Sequence, residues 1–548
     1  EANETPAPLV IVNLNLGTET TIQRVTEYEV AQKGGNVIAE QARNQKDSLT
    51  KTLLLLINAT TKQHDTIATG GNDFRSFTFS EDGTRLAFLA ERDARPKELI
   101  KYYKLFLFRA MDDTARQIVD RNTMGMRLGY TVSEFGKPRF SKSGSRLYFG
   151  AAPIKSAADT SLPEIDQVKV DVWHYNDDYL QTQQLFNLKR DLERNYLAVF
   201  DLRDLTLMHL ESEKISQVIT TAEGDGETAF GISDWGYRIE TQWKGVSKKD
   251  IYKIDVATGD TTLIKKGLDG VVYSSFVSPN GDAIIWYDYA LKQYVSWYKG
   301  KTQVISRQIP FALYDEEHDS PSPPDPYGIA GFEVGDSAVW IYDRFDAWQV
   351  ALNGQKKPRN ITLQGRVKKE NLRYVRVDAK EKYVAEKGWS LWRFQQQQDK
   401  SAGLALAKWS DQNLRWQKQK RGPYTYGNPV QSKTSPVILY TKESYALSPD
   451  LHVWQFGAQI DSETKLSSTN PQQQQYNWGT SSIYKWKAID GKNAQGVLYL
   501  PENFDPKKKY PLLLYFYETH TNTLHSYIPP SPTGSRLNIS FYVSRGYV

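Results

Sequence analysis

A short motif recurs along this chain: an apolar strand, a Ser-x-x-Gly turn, and a second apolar strand. It reads FTFSEDGTRLAFLAERD from Phe77 to Asp93, PRFSKSGSRLYFGA from Pro138 to Ala151, and SSFVSPNGDAIIWYDY from Ser274 to Tyr289. In these copies Asp82-Gly83, Ser143-Gly144 and Asn280-Gly281 supply the positive φ that a tight hairpin needs. A fourth copy, YALSPDLHVWQF from Tyr445 to Phe456, has Ser-Pro-Asp at the turn and lacks the glycine. Between them lie hairpins of a second type, LAVFDLRDLTLMHL (Leu197 to Leu210) and DIYKIDVATGDTTLI (Asp250 to Ile264), in which a strand ends in an acidic residue before a polar turn. Strand pairs recurring with turn signals at short intervals predict a mainly β fold, a β-propeller. Gly83, Gly144 and Gly281 are unevenly spaced, so blades carry insertions; LQTQQLFNLKRDLERN, Leu180 to Asn195, reads as a short helix or an extended blade loop. At roughly 40 to 50 residues per blade, seven or eight blades fit residues 1–481.

A chain of 548 residues exceeds what one core can hold, so several units or a repeat array are expected. Its 33 Tyr and 14 Trp favour strands over disorder. The 69 basic and 64 acidic residues are well mixed, leaving no basic footprint, and no nucleic-acid partner is expected. No apolar run approaches the roughly 18 residues of a membrane helix. With no Cys, thiolate catalysis and thiolate metal sites are excluded. His520 and His525 lack the spacing of a zinc helix and the other His are scattered singly, so no metal and no cofactor are predicted. The polar opening EANETPAP reads as a mature end left after an export signal, which points to a bacterial periplasm or cell surface, with the protein soluble or peripherally attached.

From Ser482 the character changes, to SIYKWKAIDGKNAQGVLYLPENFDPKKKYPLLLYFYETH. Two apolar runs, Gly496 to Leu500 and Tyr510 to Tyr517, flank the polar turn PENFDPKKK, which predicts strand, turn, buried strand. Gly496 to Pro501, Phe504 to Leu514 and Ser544 to Tyr547 resemble the opening of the α/β-hydrolase domain in the prolyl oligopeptidase family of serine peptidases. The stretch VDVWHYNDDYLQTQQ, Val170 to Gln184, is similar to a blade element of bacterial members, a strand followed by an acidic loop. The resemblance implies a propeller over 1–481 and an incomplete hydrolase domain over 482–548, acting on peptide substrates together with the remainder of the hydrolase domain. It also implies a catalytic Ser-His-Asp triad beyond Val548, and for Tyr517 the role of a phenolic donor to the oxyanion. The alternative for Tyr517 is a strand-end residue packing on a neighbouring loop.

No Gly-x-Ser-x-Gly occurs in the chain; Gly231-Ile232-Ser233-Asp234-Trp235-Gly236 comes nearest, with its second glycine one place late. The 548 residues are therefore expected to be inactive alone. Acidic clusters that could hold a substrate ammonium are Asp315, Glu316 and Glu317, in a Pro-rich stretch that also reads as a solvated interblade loop, and Asp177-Asp178. Gln395 to Gln398 and Gln472 to Gln475 read as exposed polar loops. Two functions remain: a propeller-gated serine peptidase, or a non-catalytic propeller scaffold that binds a protein or peptide partner.

Overall fold

The computed structural model describes residues 6–42, 51–95, 97–157, 161, 163–168, 170–378, 380–410, 413–516, 519–534 and 536–548. The described chain is mainly β. Among the described residues eight antiparallel sheets follow one another, two of five strands and six of four; their strands neighbour in chain order except in the third, where Tyr130–Val132 and Arg139–Phe140 both pair with Arg146–Pro153. The first runs from Ala7–Asn13 to His64–Thr69, the second from Asp73–Phe79 to Arg116–Val119, and the third from Tyr130–Val132 to Thr206–His209. The fourth ends at Thr261–Leu268, the fifth at Lys301–Val304, the sixth at Arg359–Asn360, the seventh at Asn413–Gly422 and the eighth at Asp461–Lys465. Such serial antiparallel meanders are the pattern of a β-propeller. A two-stranded sheet follows, pairing Thr480–Lys487 with Asn493–Leu500.

The serine and the glycine of the recurring motif have defined work. Ser80, Ser141 and Ser278 are buried, and the Oγ of each accepts the backbone N–H five residues on, from Arg85 (3.0 Å), Arg146 (3.1 Å) and Ala283 (2.9 Å). The N–H of Gly83, Gly144 and Gly281 then donates to the carbonyl of the same serine at 2.9 Å in all three, closing the turn. Gly83 has φ +74°, and a Cβ there would stand 2.2 Å from the carbonyl oxygen of Lys33, so the position needs glycine twice over. Side chains of the preceding sheet stitch these turns: Asn36 Nδ2 donates to Gly83 O at 3.2 Å and Arg85 Nη1 donates to Gly144 O. Arg146 in its turn donates to Gly226 O at 2.8 Å and pairs with Glu227 at 2.6 Å.

Three predicted elements differ. In the third copy the first strand is replaced by a 3-10 turn, Ser274–Phe276, with one bridge between Val277 and Ile284. That turn sends Phe276 inward, 6.0 Å from the ring of Tyr294. The fourth copy is no hairpin: Leu447–Phe456 is one continuous strand. Without a glycine nothing reverses the chain, and Pro449 falls where the pairing register shifts between Lys442 and Ser444, so no ladder bond is lost. No strand lies within 170–180 either; Val170, Val172 and Trp173 are exposed, and the helix of the insertion is Gln181–Leu192.

By packing, the chain divides into two compact units, Glu1–Gly270 with Val277–Ile284, and Val271–Phe276 with Ile285–Val548. In the first unit Leu89, Leu105, Leu147, Phe149 and Phe200 are among the core residues linking the second and third sheets. In the second, Trp340 and Trp392 stack at 6.0 Å and join the sixth and seventh. No described helix is long and apolar enough to cross a membrane.

Candidate functional site

The second unit holds a cavity of about 870 Å³, walled on one side by Glu317, Gln397 and Lys400 and on the other by the terminal segment. Gln397 and Lys400 come from the hairpin joining Trp389–Gln396 to Ala402–Ser410. Gln396 Oε1 accepts the N–H of Asp399 at 2.9 Å, and Asp399 Oδ1 accepts that of Ser401 at 2.8 Å. These bonds close the loop with Lys400 in the left-handed region, at φ +60°. The glutamine run is therefore a half-buried hairpin end, not the exposed loop expected. Lys400 is 6 % exposed, its Nζ donates to Asn522 Oδ1 at 3.2 Å, and burial depresses its pKa.

The predicted acidic cluster is split. Of Asp315, Glu316 and Glu317, only Glu317 lines the cavity. Asp315 accepts the N–H of Glu317 at 3.0 Å, and the N–H of Glu316 donates to the Tyr327 hydroxyl at 3.1 Å. Glu317 pairs with Arg344, and Gln397 Nε2 reaches the same carboxylate oxygen at 3.4 Å. Arg344 is aimed by its turn: the buried Asp343 accepts the N–H groups of Phe345 (2.7 Å) and Asp346 (2.8 Å) and the indole N–H of Trp348 (2.9 Å). Asp178 is a structural anchor instead, bonded to the N–H of Gly236 at 3.1 Å and paired with Arg238 at 3.3 Å. Ser233 lies inside the strand Thr228–Ser233 and donates to Lys214 O, the place of a structural serine.

The opposite wall is apolar, with Val497, Leu512, Leu514, Ile539, Tyr542 and Val543 among its residues. The run from Tyr510 is not the buried strand predicted: residues 511–516 are irregular, and Leu512, Leu514 and Phe516 are 60 %, 80 % and 85 % exposed. A strand buried on both faces needs sheet neighbours and covering layers, and here, among the described residues, the backbone bonds of the run are made with Val548. The Val548 N–H donates to Pro511 O and the Leu513 N–H to Val548 O, both at 2.9 Å, the pattern of a parallel bridge about Leu512. The intervening chain holds the short helix Ile539–Val543. Tyr517 lies outside the described residues; Phe516 and Thr519, on either side of it in the chain, both line the cavity.

Residues 519–527 are pinned to the seventh and eighth sheets. Gln395 Nε2 donates to Asn522 O at 3.3 Å, Thr425 Oγ1 to His525 O at 3.2 Å, and the Tyr527 N–H to Glu443 at 3.1 Å. Tyr527 stacks on Trp478 at 5.4 Å and its hydroxyl accepts from Asn470 at 2.9 Å. Sequence reasoning missed Lys400, Asn522 and Arg344. The one available signal was a lysine where this kind of turn favours glycine or asparagine.

No family model matches the chain, and no curated protein matches its sequence. Among solved structures it is similar to dipeptidyl peptidase 4 of Porphyromonas gingivalis, at 13 % identity and a TM-score of 0.44, covering 100 % of this chain and 68 % of that one. It is also similar to the acylaminoacyl peptidase of Pyrococcus horikoshii, at 12 % identity and a TM-score of 0.34, covering 95 % and 63 %. A third is the β-propeller domain of the Trilobed protease from Pyrococcus furiosus, at 10 % identity and a TM-score of 0.28, covering 81 % and 96 %. The chain thus spans 63 % to 68 % of the length of the first two enzymes.

Proposed function

We propose that this chain comprises the propeller (1–481) and the opening of the α/β-hydrolase domain (482–548) of an exported serine peptidase of the prolyl oligopeptidase family. It acts on peptides by acyl transfer through a Ser-His-Asp triad contributed by hydrolase residues outside this sequence. The observation that carries the reading is the parallel bridge of Val548 about Leu512, reached through a helical connection, within the very stretch whose sequence resembles the hydrolase opening. Parallel strands joined by a helical crossover belong to α/β sheets, and the propeller-type meanders contain none. The cavity supports it: the loop between the fifth and sixth sheets that carries Glu317, and the hairpin that carries Gln397 and Lys400, line it together with the segment leading to Tyr517, where they would select peptides near the chemistry. Tyr517 serves there as a hydroxyl donor to the oxyanion of the tetrahedral intermediate.

The test is to isolate the natural protein, measure its intact mass, and treat it with a fluorophosphonate that labels activated serines. Labelling of a species heavier than 62.6 kDa, with cleavage of short peptides, is the expected result. A natural protein that neither labels nor cleaves any of a broad peptide set would overturn the proposal.

A further inference from the structure

The sequence offers carboxylates for a peptide amine, but the cavity has the opposite polarity. Glu317 is already engaged, by Arg344 and by Gln397. Lys400 is not matched in this way. It is 6 % exposed, and the partner of its ammonium among the described residues is a neutral amide oxygen of Asn522 at 3.2 Å. A buried ammonium with donors to spare, and with no carboxylate bonded to it among the described residues, is costly unless an anion completes it. His520 lines the same cavity, and its Nε2 is buried without a hydrogen-bond partner among the described residues. The backbone of Lys400 adds a third observation, since its φ of +60° is a conformation in which glycine or asparagine would serve the turn more cheaply.

We propose that Lys400, with His520 and Asn522 beside it, forms a carboxylate-binding subsite of the cavity, so that the ligand taken there is a peptide bearing a carboxylate next to an apolar side chain. The carboxylate accepts from Lys400 Nζ, while the apolar group lies against Leu512 and Val497 across the cavity. The proposal rests on the peptidase reading for the word peptide, but not for the word carboxylate. The carboxylate can come from a C-terminus or from an acidic side chain.

Calorimetric titration of the natural protein, with any reactive serine first blocked by the fluorophosphonate, separates these points. The probes are acetyl-leucyl-alanyl-phenylalanine as the free acid, the same peptide as its amide, and acetyl-leucyl-glutamyl-phenylalanine amide. Phenylbutyrate and its amide are added as carboxylate and control without a peptide backbone. The free acid is expected to bind about tenfold more tightly than its amide, the size of one charge-assisted hydrogen bond in a partly enclosed site. Lys400→Met should abolish that preference and leave amide binding unchanged, whereas Lys400→Arg and the exposed-site control Lys301→Met should retain it. Methionine and arginine bear the same left-handed backbone burden as lysine, so the comparison isolates the charge. If the glutamyl amide matches the free acid the subsite reads side chains, and if only the free acid is preferred it reads C-termini; either supports the subsite. Peptides that bind with no carboxylate preference would overturn the subsite and leave the peptidase reading standing. Lys400-dependent binding of phenylbutyrate without any peptide binding would support the subsite and sink the peptide reading. Absence of binding by every probe overturns both.

Discussion

The Ser-x-x-Gly hairpins and the terminal stretch from Tyr510 to Val548 look alike in sequence, since each sets apolar runs around a polar turn, yet they behave differently. In the first two hairpins the bonds that close the turn come from within five residues, bonds from the neighbouring sheets only add to them, and the flanking strands are antiparallel neighbours in the chain. Leu86, Phe88 and Leu147 are accordingly buried to 1 % or less. Among the described residues, the backbone of the run Leu512 to Phe516 bonds through Val548, more than thirty residues on, and its leucines remain open to solvent. A hairpin carries its own pairing instructions, whereas a parallel strand waits for a crossover and for layers on both faces.

The comparison can be broken most directly at glycine. Gly83→Ala places a Cβ against Lys33 O in the left-handed region and is expected to cost about 2–4 kcal/mol, read from urea unfolding of the first unit. Gly491→Ala, in the terminal hairpin at φ +81° with nothing within 4 Å, should cost only about 1 kcal/mol; equal losses would mean that backbone strain, and not stitching between sheets, makes Gly83 necessary. A smaller effect is expected on acidification. Burial pushes the His209 pKa down to about 4 from 6.5, and its Nε2 accepts the N–H of Arg127 at 3.2 Å. The unfolded chain therefore takes up the proton first, and stability is lost as pH falls from 6.5 towards 4, by about 1 kcal/mol once partial exposure is allowed for. Hydrogen exchange of the third sheet checks this, and His209→Gln should flatten the profile. The smallest effect belongs to the terminal run. Leu514→Ser, at an 80 % exposed side chain, should change stability by less than about 0.5 kcal/mol and lessen self-association in sedimentation; a large loss would show that the run is packed after all.

Much of the propeller was legible because its instructions are short. Ser80, Asp82 and Gly83 form a turn from their own atoms, and the acidic strand end Asp255 caps the next turn by accepting the N–H groups of Ala257 (2.9 Å) and Thr258 (3.0 Å). Tyr445 to Phe456 was misread because Ser-Pro-Asp carries turn chemistry, yet a register shift in the partner strand let proline stay in a sheet. The candidate site was scarcely legible. Lys400, Asn522 and Glu317 lie far apart in the chain, and no local pattern marks a lysine that folding will bury.

By itself the sequence determined the first two Ser-x-x-Gly hairpins and the motif of the terminal segment, because each is written in residues that touch their near neighbours, while it left the insertion open between helix and loop. The tertiary structure alone decided that Glu317 would be neutralised by Arg344, that Lys400 would remain as the cation of the cavity, and that Val548 would pair with Leu512. Charge balance and parallel pairing depend on which distant groups meet in space, and distance along a chain does not encode that.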